Sequence, residues 1–289
     1  MEAVGVGLTI GSSLALTALG LVLIFGVMRT INFAHGEFYT LGGYAFVLAA
    51  NSLGLSPWLS ILAAPIVGWV VGWVMHRVLL TVRPALSRFS YSDYFILITF
   101  AVATIMQSGW LVALGAGYRK PPSLLEVEFQ FFGITVGGDR IAVVLGMVVV
   151  LIALTLYMRH SYTGRAWRAL ASNRLGAEVV GIDVVRESRS SFATAVAIAA
   201  FSGALLAPLL SVFPSVGNAA LSTGFIIIVL GGMGSVPGAV IGGLLVGVVD
   251  TLGVVYISSA YSGIYGFLLM IVVLLVRPVG LFGTRVRSI

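Results

Sequence analysis

Residues 140–158, RIAVVLGMVVVLIALTLYM, decide the fold class. Behind one arginine the run carries no charge, and its length meets the roughly 20 apolar residues that a helix needs to cross about 30 Å of hydrocarbon. It shows none of the period-two alternation of an outer-membrane strand, so a helix is expected. The rest of the chain repeats the pattern. Of 289 residues 59% are hydrophobic and 9% charged, where soluble domains carry about 25% charged residues. The mean hydropathy is +1.10. Apolar windows lie at 5–28, 33–50, 58–80, 94–114, 140–158, 191–213, 222–233, 237–256 and 262–276. The expected fold is all-α, a polytopic integral membrane protein of seven to nine transmembrane helices forming a single domain over residues 1–289. A Rossmann enzyme, a β-sandwich or a second aqueous domain is excluded.

Two windows depart from the simple pattern. The 33–50 window has Asn32, His35 and Glu37 around its start, and 222–233 is too short to span the bilayer at about 1.5 Å per residue. Both are expected to be broken or re-entrant. The first window has no basic region before it and no small-residue cleavage pattern, so it is expected to be retained as a span.

The net charge of +6 does not form a basic face for nucleic acid; the arginines sit between windows and set orientation. Arg29 follows the first window, Arg77, Arg83 and Arg88 the third, and Arg277, Arg285 and Arg287 the last. The connection from Arg159 to Arg189 holds six arginines against Glu178, Asp183 and Glu187. These ends are expected in the cytoplasm. The 115–139 loop balances Arg119 and Lys120 against Glu126, Glu128 and Asp139 and is expected outside. An outside N-terminus and a cytoplasmic C-terminus require an odd number of crossings.

Glycines four apart, Gly7 and Gly11, Gly68 and Gly72, Gly238 and Gly242, Gly243 and Gly247, let helix backbones approach closely, as does the small face of Ala193, Ala197 and Ala200. With no cysteine there are no disulfides, thiolate metal sites or cysteine nucleophiles. No GxxxxGK[ST] phosphate loop occurs, so the chain does not hydrolyse ATP itself. Active transport would then need either ion coupling through intramembrane charges or a separate ATPase. For the first, the candidates are His35, Glu37 and Asp250, each expensive in lipid unless paired or wetted. Capping at a helix mouth is their structural alternative. Gln107, Asn51 and Asn218 read as helix–helix hydrogen bonds or loop ends.

For the second, residues 164–182, GRAWRALASNRLGAEVVGI, predict an amphipathic helix with Trp167, Leu170, Ala171, Leu175 and Val179 on one face and Arg165, Arg168, Ser172 and Asn173 on the other, stopped by Gly181. It suits either a groove on a soluble partner or the lipid headgroups. The run LGGMGSVPG at 230–238 breaks an apolar region. It suits either half-helix ends aimed at a zwitterion or a tight turn between helices.

Three stretches now taken together, INFAHGEFYTLGGY from Ile31, GRAWRALASNRLGAEVVGI from Gly164 and VLGGMGSVPGAVIGG from Val229, resemble the signature regions of the branched-chain amino-acid type ABC transporter permeases. The likeness runs from about Leu8 to Phe282. It implies one permease subunit of a bacterial inner-membrane importer, with no catalytic residue, metal or cofactor of its own and with ATP used by its partners. Those partners would be a second homologous permease, two cytoplasmic ATP-binding subunits and an extracytoplasmic solute-binding protein, in a shell of membrane lipid. The cytoplasmic segment 160–189 would then be the coupling segment, with Gly164, Arg165, Arg168, Asn173, Ala177 and Gly181 meeting the ATPase. Asn32, His35, Gly36 and Glu37 match the first motif and Gly231, Gly232, Gly234 and Pro237 the last; both sets are expected near the translocation pathway. The implied cargo is a branched-chain amino acid, though such permeases also carry urea, short amides and other small solutes. Gly43–Tyr44 stands where an Ala-Tyr pair is frequent, and Tyr118 to Pro122 is idiosyncratic.

Overall fold

The computed structural model describes residues 2–81, 90–131 and 134–283. Arg83, Arg88, Arg285 and Arg287, used above for orientation, lie outside the described residues. The chain is an all-α membrane protein. Six helices are long and apolar enough to cross a bilayer: α1 (Glu2–Met28), α3 (Pro57–Met75) extended by a π-helical turn at His76–Leu80, α4 (Tyr91–Leu114), α5 (Gly138–His160), α8 (Val184–Leu210) and α10 (Val236–Tyr256). Three shorter helices complete the nine windows: α2 (His35–Asn51), α9 (Val216–Gly231) and α11 (Ile264–Val276). The basic connection folds into α6 (Tyr162–Ser172) and α7 (Arg174–Val179), and the 115–139 loop into an antiparallel hairpin of β1 (Glu128–Phe131) and β2 (Ile134–Gly137), with Glu128 opposite Gly137.

Burial separates centre from periphery. In α1 and α8 78% and 72% of the apolar window is buried, against 11% in α4 and 22% in α5, so α1 and α8 form the axis. They run antiparallel and are joined at mid-length by hydroxyls: Ser202 Oγ donates to the Ser13 carbonyl at 2.6 Å and lies 2.9 Å from the Thr17 hydroxyl, while Ser191 Oγ donates to the Leu23 carbonyl at 3.3 Å. In an apolar interior such groups must find partners within the protein, and here they fix the helix register.

The small residues flagged by their spacing meet one another. Gly7 and Gly11 of α1 face α10, where a Cβ on Gly11 would sit 2.8 Å from the Gly243 carbonyl oxygen. Gly68 and Gly72 of α3 face Ala193, Val196, Ala197 and Ala200 of α8. Gly43 has a physical reason too, since an added Cβ would lie 2.7 Å from a methyl of Val212.

At one end of the bundle lie Arg29, α6 and α7; here this is the basic end. At the opposite end hydrogen bonds tie the two flanks of the hairpin: Asp139 accepts from the Leu124 and Leu125 amides at 2.8 and 3.1 Å, and Arg119 and Val212 exchange backbone hydrogen bonds of 2.8 and 2.7 Å. Asn51 is a loop end, donating to the Lys120 carbonyl at 3.3 Å.

Candidate functional site

At the basic end, Ser161 begins the platform by accepting from the Gly164 amide at 2.8 Å, which starts α6. Gly164 is packed so tightly that a Cβ would lie 2.5 Å from the Tyr157 carbonyl oxygen. Trp167 and Leu170 are buried, the indole packed at a tilt of 52° against Tyr157 with centroids 5.5 Å apart. Three arginines then grip helix ends. Arg165 donates to the His160 carbonyl at 3.2 Å, Arg168 to the Met158 carbonyl, and Arg29 to the Ala171 and Ser172 carbonyls at 3.2 and 3.5 Å. These are terminal carbonyls of α5 and α6, where a cation is favourable.

The single amphipathic helix expected over 164–182 is two helices. Asn173, at φ −148° and ψ 104°, ends α6, and its side chain accepts from the Gly176 amide at 2.9 Å to start α7. A residue of this type competes with the helix for backbone hydrogen bonds and prefers the cap. The consequence is a change of face: Trp167 and Leu170 point into the bundle, whereas Leu175 and Val179 point away, 73% and 80% exposed. Gly181, at φ +86°, stops α7 as its position suggests: its amide bonds the Glu178 carbonyl and the Ile182 amide the Ala177 carbonyl, both at 3.0 Å. Ala177 is buried beneath this turn.

The first motif lies deep in the bundle. After α1 the chain leaves helical geometry at Arg29, φ +53°, and α2 starts only at His35, whose Nε2 lies 2.9 Å from the Thr17 carbonyl at mid-length of α1. Asn32 Oδ1 accepts from the Ala34 amide at 3.0 Å, bridging the gap. Here irregular backbone is enclosed by protein, as burial in a membrane demands. Gly36 meets Gly217 of α9, where a Cβ on either would strike the other's carbonyl. Glu37 turns toward α4 and accepts from Trp110 Nε1 at 3.1 Å. Two broken helices thus begin against each other within the bundle.

The last motif lies elsewhere. Gly231, Gly232, Gly234 and Pro237 form the α9–α10 turn at the basic end, with Gly232 and Gly234 at positive φ (98° and 88°) and Pro237 in the first turn of α10. The Leu281 and Phe282 amides bond the Leu230 and Gly231 carbonyls at 2.8 and 3.0 Å, stitching the segment after α11 onto this turn. Fourteen residues of α9, about 21 Å of helix, separate Gly217 from Gly231, so the structure does not bring the two sets together.

The three ionisable candidates do not form a relay with one another. His35 is held by α1 and Glu37 by α4, while Asp250 accepts from the Gly263 amide at 2.7 Å and the Ser262 hydroxyl at 3.3 Å, pinning the turn before α11. Asp250→Asn keeps the acceptor, so uptake and thermal stability should stay near wild type, whereas Asp250→Leu should lose about 1 kcal/mol. A thermal melt alongside an uptake assay measures both. Among the described residues no three His, Asp or Glu side chains are grouped to hold a metal ion. Trp110, Gly217 and the grip of Arg29 on α6 carry no signal in a linear reading, because each depends on a contact remote in sequence.

Residues 4–274 match the family model described as branched-chain amino acid transport system / permease component. The high-affinity branched-chain amino acid transport system permease protein LivH of Escherichia coli strain K12 is 33% identical over 293 residues, covering 96% of this chain and 93% of that protein. The corresponding permease protein BraD of Pseudomonas aeruginosa is 32% identical over 291 residues, with 96% and 94% covered. The probable branched-chain amino acid transport permease protein LivH of Methanocaldococcus jannaschii is 27% identical over 283 residues, with 93% and 88% covered. No solved structure matches the chain. With a polytopic helical bundle and a family match over nearly its whole length, this chain belongs to the branched-chain amino acid transport permease component family.

Proposed function

We propose that this chain is a permease subunit of an ATP-driven importer of branched-chain amino acids in the plasma (inner) membrane, worked by separate ATPase subunits through the α6–α7 platform. The observation that carries the reading is α7: a short helix at the basic end with Leu175, Val179 and Val180 exposed, on a base tied to α1 and α5 by Arg29, Arg165, Arg168 and Trp167. Apolar knobs on a rigid, arginine-braced base suit a groove on a soluble partner. In this reading Gly164, Arg165, Arg168, Asn173, Ala177 and Gly181 shape the platform and the α7 knobs make the contact. The basic end faces the cytoplasm by its arginines, and the end with the β-hairpin faces the solute-binding protein.

Movement of the platform reaches the bundle directly, because Arg29 joins the end of α6 to the start of the irregular segment that leads into α2. A second permease closes the assembly, and alternation between two packings carries solute inward. The relatives' names support the branched-chain cargo; urea or a short amide is the alternative, separated by binding measurements on the cognate binding protein. Reconstitution tests the class. In liposomes the lone chain should accumulate no leucine, and uphill uptake should appear only with the ATPase pair, second permease, binding protein and ATP. Concentrative uptake by the lone chain, abolished by an uncoupler, would replace this reading with an ion-coupled carrier.

A further inference from the structure

We propose that the face formed by the distal half of α4 and the start of α9 is wetted and receives the solute, with the Gln107 and Asn218 amides as its polar contacts. This rests on the importer reading and names the part of the chain that meets the cargo.

The packing of α4 is the first observation. Its buried residues, Phe95 and Thr99, both lie in its first half. The second half touches the bundle along one stripe of partly buried residues, among them Met106 and Trp110, and beside that stripe lies a cleft of about 430 Å³ lined by Gln107, Ser108, Leu111, Tyr118, Phe213 and Ser215 among others. Asn218 is exposed on α9 one turn beyond Ser215 and next to Gly217, so this face runs from the hairpin end toward the contact of the two broken helices.

The second observation is chemical. Two exposed hydroxyls on these helices satisfy themselves: Thr104 donates to the Phe100 carbonyl at 3.1 Å and Ser222 to the Asn218 carbonyl at 2.9 Å. A primary amide, with two donors and an acceptor, has no such escape in lipid. The Gln107 and Asn218 side chains have no hydrogen-bond partner among the described residues, and neither is buried. An unpaired amide facing hydrocarbon costs several kcal/mol, so this face meets water and solute.

The lining also selects. It contains no charged side chain, and the Tyr118 and Phe213 rings, 4.9 Å apart, make an apolar wall. Amide N–H groups suit a carboxylate, amide and hydroxyl oxygens suit an ammonium, and the wall suits an aliphatic side chain. That combination fits a net-neutral zwitterion such as leucine and offers no counter-charge to lysine.

The natural absence of cysteine makes the test direct. Gln107→Cys, Asn218→Cys and Ile105→Cys are made singly in the assembled transporter in liposomes and treated with a small hydrophilic methanethiosulfonate, with modification read from the mass of this chain. Ile105 is 70% exposed, two residues from Gln107 and on the other side of α4. Because the thiolate forms only where water reaches, positions 107 and 218 should react about tenfold or more faster than position 105. Leucine with its binding protein should slow both reactions, and lysine should not.

Rates at 107 and 218 no faster than at 105, with ATP-dependent uptake intact, would overturn this inference alone. Equal protection by leucine and lysine would overturn its choice of solute. Uptake that persists without ATPase subunits, with labelling as expected, would overturn the importer reading and leave the wetted face standing.

Discussion

Leu175→Asp combined with Val179→Asp abolishes uptake by the assembled transporter while the chain still inserts and folds. Both side chains are largely exposed, so the bundle loses no packing and membrane levels should be unchanged. A partner groove that buries two such knobs loses their apolar contact and must desolvate two carboxylates. Hot-spot truncations cost about 2 kcal/mol each, and about 4 kcal/mol is a thousandfold in affinity. The measurements are co-purification of the ATPase subunits and the ATP hydrolysis stimulated by solute-loaded binding protein; normal values for both would remove α7 from the docking surface. Trp167→Ala is the informative contrast. That side chain is 1% exposed, so its loss should cost about 3–5 kcal/mol of stability and reduce the amount of folded protein. Charge reversal at Arg165 and Arg168 is less specific, because their guanidinium groups hold the carbonyls of His160 and Met158.

The second large effect belongs to the contact between the broken helices. Gly36→Leu or Gly217→Leu forces a side chain into a space occupied by opposing backbone; a Cβ on Gly217 would also lie 2.6 Å from the Thr40 hydroxyl. Backbone of two packed helices cannot yield as a flexible side chain does, so the upper part of the usual overpacking range, about 3 kcal/mol, is expected for each. At roughly 2–4 °C per kcal/mol the apparent melting point should fall by about 10 °C, and uptake should fall with it. Gly109→Leu is the control: an added Cβ there meets nothing within 4 Å, and the melt should be unchanged or slightly raised. Melting by fluorescence-detected size exclusion separates the two, and a Gly36→Leu protein that melts like wild type would mean that α2 and α9 do not meet this way.

Periodicity and composition carried much of the architecture. Every apolar window contains a helix, the two windows that depart from the simple pattern hold the helices that begin inside the bundle, and Gly7 and Gly11 of α1 face Gly243 and Gly247 of α10. These features are local or follow from the bilayer, which allows few ways to satisfy a backbone. What escaped the linear reading depends on partners distant in the chain. Spacing alone puts Leu175 and Val179 on the stripe of Trp167, as an unbroken 3.6-residue period requires; one asparagine, capping α7, rotates them to the other side. Asp250 in an apolar window suggests proton traffic, yet its oxygens are taken by a turn twelve and thirteen residues away. Arg29 reads as an orientation charge, and its second role requires knowing where residues 171 and 172 lie.

Thirteen residues of α11 give about 20 Å of helix, and side chains such as Leu268, Val272, Leu275 and Val276 are exposed along it. Acyl chains beside this flank must compress or tilt to match a stretch well short of the usual hydrocarbon thickness. In a bilayer this favours a lopsided lipid collar, pinched beside α11 and of full depth beside α5. Such a dimple lowers the elastic cost of placing another short-walled protein alongside, so bilayer thickness itself becomes a variable in how this protein assembles.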